Sequence, residues 1–214
     1  MKLNTNSNSY TMVYSIVLVV IVSFLLAFVY VALKPQQDKN VALDQKKQIL
    51  NSLNLRGLSD ADAEATYNKV VREDSIGNKH YYNCLVKGQR VVVFPLKGMG
   101  LWGGISGFIA VNASDMNTVY GVYFNHESET AGLGAEIKDN VQWQQKFIGK
   151  KLHQGGSKQI ALGVKKKVDD KATQVDAVTG ATLTSNGVDA MLKTCLSEYN
   201  LDAVSKAVQL SASK

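Results

Sequence analysis

The sequence predicts an α+β protein, with a single N-terminal transmembrane helix followed by one mostly antiparallel sheet domain with flanking helices. Three observations lead there. Residues 10–33 form a 24-residue run without a charged side chain, and about 20 helical residues cross the hydrocarbon core of a bilayer. The middle of the chain breaks into short β-rich runs divided by glycine-containing turns, as consecutive antiparallel strands do. Near the C-terminus apolar residues recur at helical spacing instead. The expected segments are a short tail over 1–9, the transmembrane helix over 10–33, a stalk or first domain helix over 34–56, and a folded domain over 57–214.

Composition narrows the function. A chain of 214 residues holds one core plus an appendage. Its 45% hydrophobic content is ordinary for a globular protein and too low for a polytopic membrane protein. The net charge of +6 comes from scattered lysines without interleaved aromatics. That pattern fits a solvated lysine face better than a nucleic-acid surface, which needs a denser basic stripe. The two cysteines, Cys84 and Cys195, are too few for an all-cysteine iron–sulfur centre, and C-x-x-C-H is absent. Any electron chemistry must therefore rest on an organic cofactor. Whether the two thiols pair stays open.

The elements follow in order. Tyr10 to Leu33 is too long for a signal peptide and lacks an A-x-A site, and Tyr10, Tyr14 and Tyr30 sit toward its ends as interfacial aromatics do. Lys34, Lys39, Lys46 and Lys47 follow it, with only Lys2 before. Taken alone, that count puts the domain in the cytoplasm. Gln36 to Leu55 has helical spacing, with Pro35 at its start and Arg56-Gly57 at its end. Ser59 caps a second helix over 60–71. Residues 80–86, 90–96, 105–111 and 117–125 read as strands, the first two joined at Lys87-Gly88-Gln89. Residues 140–149 form a short helix with Trp143 and Phe147 four apart. Residues 159–164 and 174–178 close the sheet. From Ser185 the last helix puts Val188, Met191, Leu192, Cys195, Leu196 and Tyr199 on one face. After Asn200 a polar tail is expected.

Three stretches carry candidate chemistry. The glycine-rich segment Gly98 to Gly107 is not a Rossmann fingerprint. Its glycines mean either bulges and tight turns or a backbone that approaches a flat ligand closely. In the loop from His126 to Glu136, small residues stand beside carboxylates. It reads either as an active-site loop or as a polar tight turn, and its spacing is too irregular for a metal site. Asp176-Ala177-Val178-Thr179-Gly180-Ala181-Thr182 turns at glycine into the last helix. A helix entry is a natural phosphate seat, with Thr182 supplying a hydroxyl. It is equally a plain loop capped by Thr184 or Ser185. No residue reads as a catalytic group, a metal ligand or an NADH contact.

Together these motifs, in this order behind an N-terminal anchor, resemble the FMN-binding domain family to which the C subunit of the sodium-translocating NADH:quinone oxidoreductase belongs. The matching residues are Gly98 to Gly103 with Gly107 to Ala110, His126 with Glu129 to Gly134, and Asp176 to Thr182. The G subunit of Rnf-type electron-transport complexes is the alternative relative; the segment after the anchor fits it less well. Ala131 stands where proline is commoner, and Thr179 where serine is. The resemblance implies a flavin mononucleotide (FMN) joined through its phosphate to Thr182 by a magnesium-dependent flavin transferase that uses FAD. Asp176, Thr179, Gly180 and Ala181 are then motif positions, and Glu129, Thr130, Gly132, Leu133 and Gly134 line the flavin. It further implies an electron-relay subunit of a sodium-pumping membrane complex, partnered by other subunits and anchored in a bacterial inner membrane. Its domain would face the periplasm, against the lysine count. Thr184 and Ser185 become helix caps under this reading.

Overall fold

A computed structural model describes residues 7–212. In order it contains helices α1 (Asn8–Ser52) and α2 (Asp60–Val70), then strands β1 (Val71–Ile76), β2 (Lys79–Val86), β3 (Gln89–Met99), β4 (Gly104–Asn112) and β5 (Val119–His126). Helices α3 (Glu136–Asp139) and α4 (Val141–Gln145), strands β6 (Gly163–Lys165) and β7 (Gln174–Asp176), and helices α5 (Thr182–Ser197) and α6 (Leu201–Ala212) follow. The chain divides into two compact units after Asp44.

The first unit is the N-terminal part of α1. Residues 1–6 of the expected tail lie outside the described residues, while Asn8 and Ser9 already belong to the helix. The Ser7 hydroxyl accepts the Tyr10 N–H at 3.2 Å, a side-chain acceptor at the helix start. This helix is long and apolar enough to cross a bilayer. Pro35 does not begin a new helix but lies inside α1. Interior proline removes one N–H donor, and the helix nevertheless continues through it to Ser52.

The second unit is built on one antiparallel sheet of order β1-β2-β3-β4-β5. Both faces of this sheet are covered. Val92, Phe94, Ile109 and Phe124 point to one side and pack with Trp143, Val188 and Leu192. Val91, Val93, Phe108 and Ala110 point to the other and pack with Ile49, Leu50 and Leu53 of α1 and Tyr67 of α2. Strands buried on both faces read as near-continuous apolar runs, which is why VVVF and FIAV lack alternation. Gly121 permits close docking of α1, because a Cβ there would lie 2.4 Å from the Ser52 carbonyl oxygen. Arg56 then ties the linker to the sheet and α4, donating to the Val122 carbonyl at 2.9 Å and to Gln144 Oε1 at 2.7 Å.

Ser59 caps α2 as expected, accepting the Asp62 N–H. Several other boundaries differ. The second helix stops at Val70 and the chain enters β1, an edge strand whose sequence, VREDSI, has one buried side chain. Charged edges resist pairing with other chains, and they also hide the strand from pattern reading. β6 and β7 do not close the main sheet; they pair in parallel as a separate two-stranded sheet. The start of β5 is instead bonded to residues 149–151, through Gly149 N–H to Val119 O at 2.8 Å and a Thr118–Lys151 bridge. The expected C-terminal tail is helix α6, because Val204 and Val208, one turn apart, are buried in the core. Cys84 and Cys195 are both free and belong to opposite faces of the sheet. Burial pushes the Cys84 thiol up to about 12, so it stays protonated and unreactive at neutral pH.

Phe124, Trp143 and Phe147 form a cluster, with ring centroids 5.3–5.8 Å apart. Phe124→Ala should destabilise the second unit by about 3–5 kcal/mol. Denaturant unfolding of the detergent-solubilised chain measures this, and a loss below about 1 kcal/mol would show that the cluster does not anchor the core.

Candidate functional site

Three segments distant in sequence meet at one end of the sheet: the β3–β4 hairpin tip, the loop after β5, and the turn entering α5. Glu129 joins them. Its side chain is buried, with 7% of the residue exposed. One carboxylate oxygen accepts the Trp102 N–H from the hairpin tip at 2.9 Å. The other accepts the Thr184 hydroxyl from the first turn of α5 at 2.6 Å. Its own N–H donates to His126 Nδ1 at 3.2 Å, folding the loop back on itself. Burial works against the charge, but the Thr184 hydroxyl and the N–H groups of Trp102, Leu101 and Gly103 outweigh it and hold the pKa below the ordinary value.

Two glycines exist to make room for that carboxylate. A Cβ at Gly100 would lie 2.4 Å from Glu129 Oε1, and one at Gly134 would lie 2.3 Å from Oε2 and 2.7 Å from Thr184 Oγ1. Farther along α5, a Cβ at Gly187 would stand 2.3 Å from the Met99 carbonyl oxygen. The helix end therefore presses on the hairpin tip.

The turn before α5 is held from behind. Trp143 Nε1 donates to the Asp176 carbonyl at 2.7 Å, and Lys146 Nζ reaches the Asp176 carboxylate at 2.7 and 3.0 Å. Gly180 adopts φ +78°, a conformation glycine takes without strain, and it lies against the Leu133 side chain. Helix α5 begins at Thr182, whose side chain is exposed. Ala181 occupies the N-cap and makes no side-chain cap hydrogen bond.

Thr184 and Ser185 are not caps, contrary to expectation. Both are buried, and while Thr184 binds Glu129, the Ser185 hydroxyl accepts the Val178 N–H at 3.1 Å. They lie one turn too far into the helix to serve its free N–H groups. Of the expected lining residues, Leu133 and Gly134 meet the α5 entry, and the Thr130 carbonyl accepts the Leu133 and Ala135 N–H groups at 3.1 and 3.0 Å. Gly132 supplies φ +71°, so the turn closes with Ala131 in place of proline. Asp176 and Thr179 stand exposed on the turn itself.

Sequence reasoning named Leu133 but did not single out two other groups. Large apolar side chains on the same segments are turned outward like Leu133: Met99, Leu101 and Trp102 on the hairpin and Leu183 on the helix, with Trp102 67% exposed. The Leu-Trp pair inside a glycine-rich stretch was a visible signal. Lys146, the partner of Asp176, gave none, because 30 residues separate them. Among the described residues no three His, Cys, Asp or Glu side chains gather to hold a metal. A cavity of about 610 Å³ between His153, Lys158, Tyr199 and Asp202 contains none of the motif residues.

Comparison with known proteins agrees with this architecture. A family model described as FMN-binding domain matches residues 100–197. The C subunit of the Na(+)-translocating NADH-quinone reductase from Haemophilus ducreyi is 35% identical, across 90% of this chain and 91% of its own. Its counterpart in Pseudomonas aeruginosa is 31% identical across 94% and 95%. The crystal structure of the same C subunit from Parabacteroides distasonis superposes with a TM-score of 0.70 at 35% identity, covering 78% of this chain and 94% of that one. NqrC of Shewanella oneidensis, at 23% identity and a TM-score of 0.59, shares the fold.

Asp115 and Asp170 join Glu129 below their ordinary values. Burial opposes the charge of Asp115, but the Thr118 hydroxyl and nearby N–H groups prevail; the Thr173 hydroxyl and the Ala172 N–H lower Asp170. A carboxyl depressed by folding stabilises above its unfolded pKa and loses that contribution as pH falls through the folded one. The ordinary values are 3.8 for aspartate and 4.5 for glutamate. Tryptophan fluorescence followed from pH 7 downward should therefore hold steady to about pH 4.5 and fall only below it. A main transition between pH 7 and 5 would mean that other groups govern acid stability.

Proposed function

The chain belongs to the family of Na(+)-translocating NADH-quinone reductase C subunits, and from that membership we propose that it carries FMN joined through its phosphate to Thr182. The observation that carries this reading is the position of Thr182. Thr182 is exposed and opens a helix whose N-cap, Ala181, has no side chain to cap it. The first N–H groups of a helix have no intrahelical acceptor, and a phosphoester one bond from the Thr182 hydroxyl suits them. The residues around it fit the rest of the cofactor. Trp102, Leu133 and Leu183 offer exposed apolar surface to a flat ring.

Bound FMN supplies one-electron redox chemistry that no protein side chain here provides. The chain's own work is to hold and orient. Gly180 shapes the turn, and Lys146 and Trp143 fix its entry through Asp176. Leu133 packs on Gly180, so the loop after β5 shields one side of the attachment point. The protein relays electrons between neighbours in a sodium-translocating membrane complex. Its α1 segment spans a bacterial inner membrane once, and the folded unit faces the periplasm. There a covalent ester keeps a soluble flavin from diffusing away. A separate flavin transferase makes the bond and recognises Asp176, Thr179, Gly180 and Ala181.

Co-expression of the full-length chain with a flavin transferase should yield flavin retained through denaturation. Mass spectrometry should locate it on the tryptic peptide 172–193, at Thr182. Thr182→Ala should abolish the modification while leaving the fold unchanged by circular dichroism. Covalent flavin persisting in that variant would overturn the assignment.

A further inference from the structure

The carboxylate of Glu129 has a second consequence for the site. Its partners are all neutral: the Trp102 N–H, the Thr184 hydroxyl and the adjoining N–H groups of the hairpin tip. They stabilise the charge without cancelling it. A carboxylate solvated by dipoles in a poorly polarisable interior still projects its field, and Thr184 lies two residues from Thr182. We infer that the Glu129 carboxylate is a positioning and electrostatic residue that locks the flavin-bearing end of α5 to the Trp102 hairpin and lowers the reduction potential of the ring held there. The inference rests on the proposed FMN attachment at Thr182.

The sign follows from charge. Uptake of one electron adds one negative charge to the ring, neutralised only when a proton follows from water. A fixed anion nearby opposes that step. The family resemblance makes Glu129 a flavin contact; the geometry gives it the role of a buried strut, with both oxygens engaged by the protein itself. Gly100 and Gly134 are shaped around the strut rather than around a ligand.

Glu129→Gln keeps the shape and removes the charge. In the full-length, flavin-loaded chain, a dithionite titration with mediator dyes should find a higher one-electron midpoint potential. The expected size is about tenfold in the reduction equilibrium, which for one electron is about 59 mV. Glu129→Asp keeps the charge and should leave the potential within about threefold of the parent, even as its shorter arm loses Thr184. An unchanged potential in the Gln variant overturns the inference. So does an equal shift in the Asp variant, since that would make geometry the cause rather than charge.

If the Gln variant does not fold, Thr184→Val carries the test. It removes the hydroxyl that favours the ionised carboxylate, so Glu129 should take up its proton at higher pH than in the parent. The potential of Thr184→Val should then begin to rise more steeply than the parent's at a higher pH as both are titrated downward from pH 7, and slopes that stay parallel down to about pH 4 overturn the inference. The hairpin tip and residues 182–188 carry no titratable side chain. His126, Glu127 and Glu136 on the loop of Glu129 are the same in both chains. A parent chain without covalent flavin would instead overturn the FMN reading and this inference with it.

Discussion

The site depends on one buried carboxylate. Without Glu129, the hairpin tip and the loop after β5 would still be joined, through the Ser128 hydroxyl to the Trp102 carbonyl at 3.1 Å and the Glu127 N–H to the Gly104 carbonyl at 3.0 Å, but the start of α5 would lose the Thr184 hydrogen bond that ties it to them. With it, each is bonded to the same pair of oxygens or to the backbone that bears them. Removing one partner from a buried charged network leaves the others unsatisfied, at about 1–3 kcal/mol for each group. The hydrogen-bonded seating of α5 on the other two segments therefore stands or falls with that carboxylate.

The sheet explains why those segments meet. β3, β4 and β5 are antiparallel neighbours, so the tip between β3 and β4 and the end of β5 emerge at the same edge. Helix α5 lies against β3, and Gly98 lets it approach, since a Cβ there would stand 2.8 Å from Met191 Cβ. At its far side Asp189 accepts the Val164 N–H at 2.9 Å and pairs with Lys193 at 2.7 Å, tying β6 to the same helix. The helix is braced along its length, and its N-terminus is directed at the place where the hairpin turns outward.

Much of this was legible in the chain, and the unread parts share a physical cause. The apolar run over 10–33, the glycine turn at Lys87-Gly88 and the α5 stripe from Val188 to Leu196 each depend on near neighbours, so local pattern is enough. β1 went unread because an edge strand with one buried residue has no period. α6 was read as a tail because Val204 and Val208 gain their partners only from the folded core. β6 and β7 were recognisable as extended segments, but their pairing in a separate parallel sheet depends on which groups already occupy the start of β5. Pro35 looked like a helix start, whereas the helix continues through it.

The chain alone was enough for the long apolar helix, the order of the main elements and the three motifs, because spacing, turn chemistry and side-chain type are properties of short segments. It also singled out Thr182 and Glu129. Only the tertiary structure decided how they relate. It made Thr184 the partner of a carboxylate 55 residues away rather than a cap, gave Asp176 to Lys146, and turned Trp102 outward. Such assignments depend on which backbones lie within hydrogen-bonding distance after folding, and a linear sequence does not contain that distance.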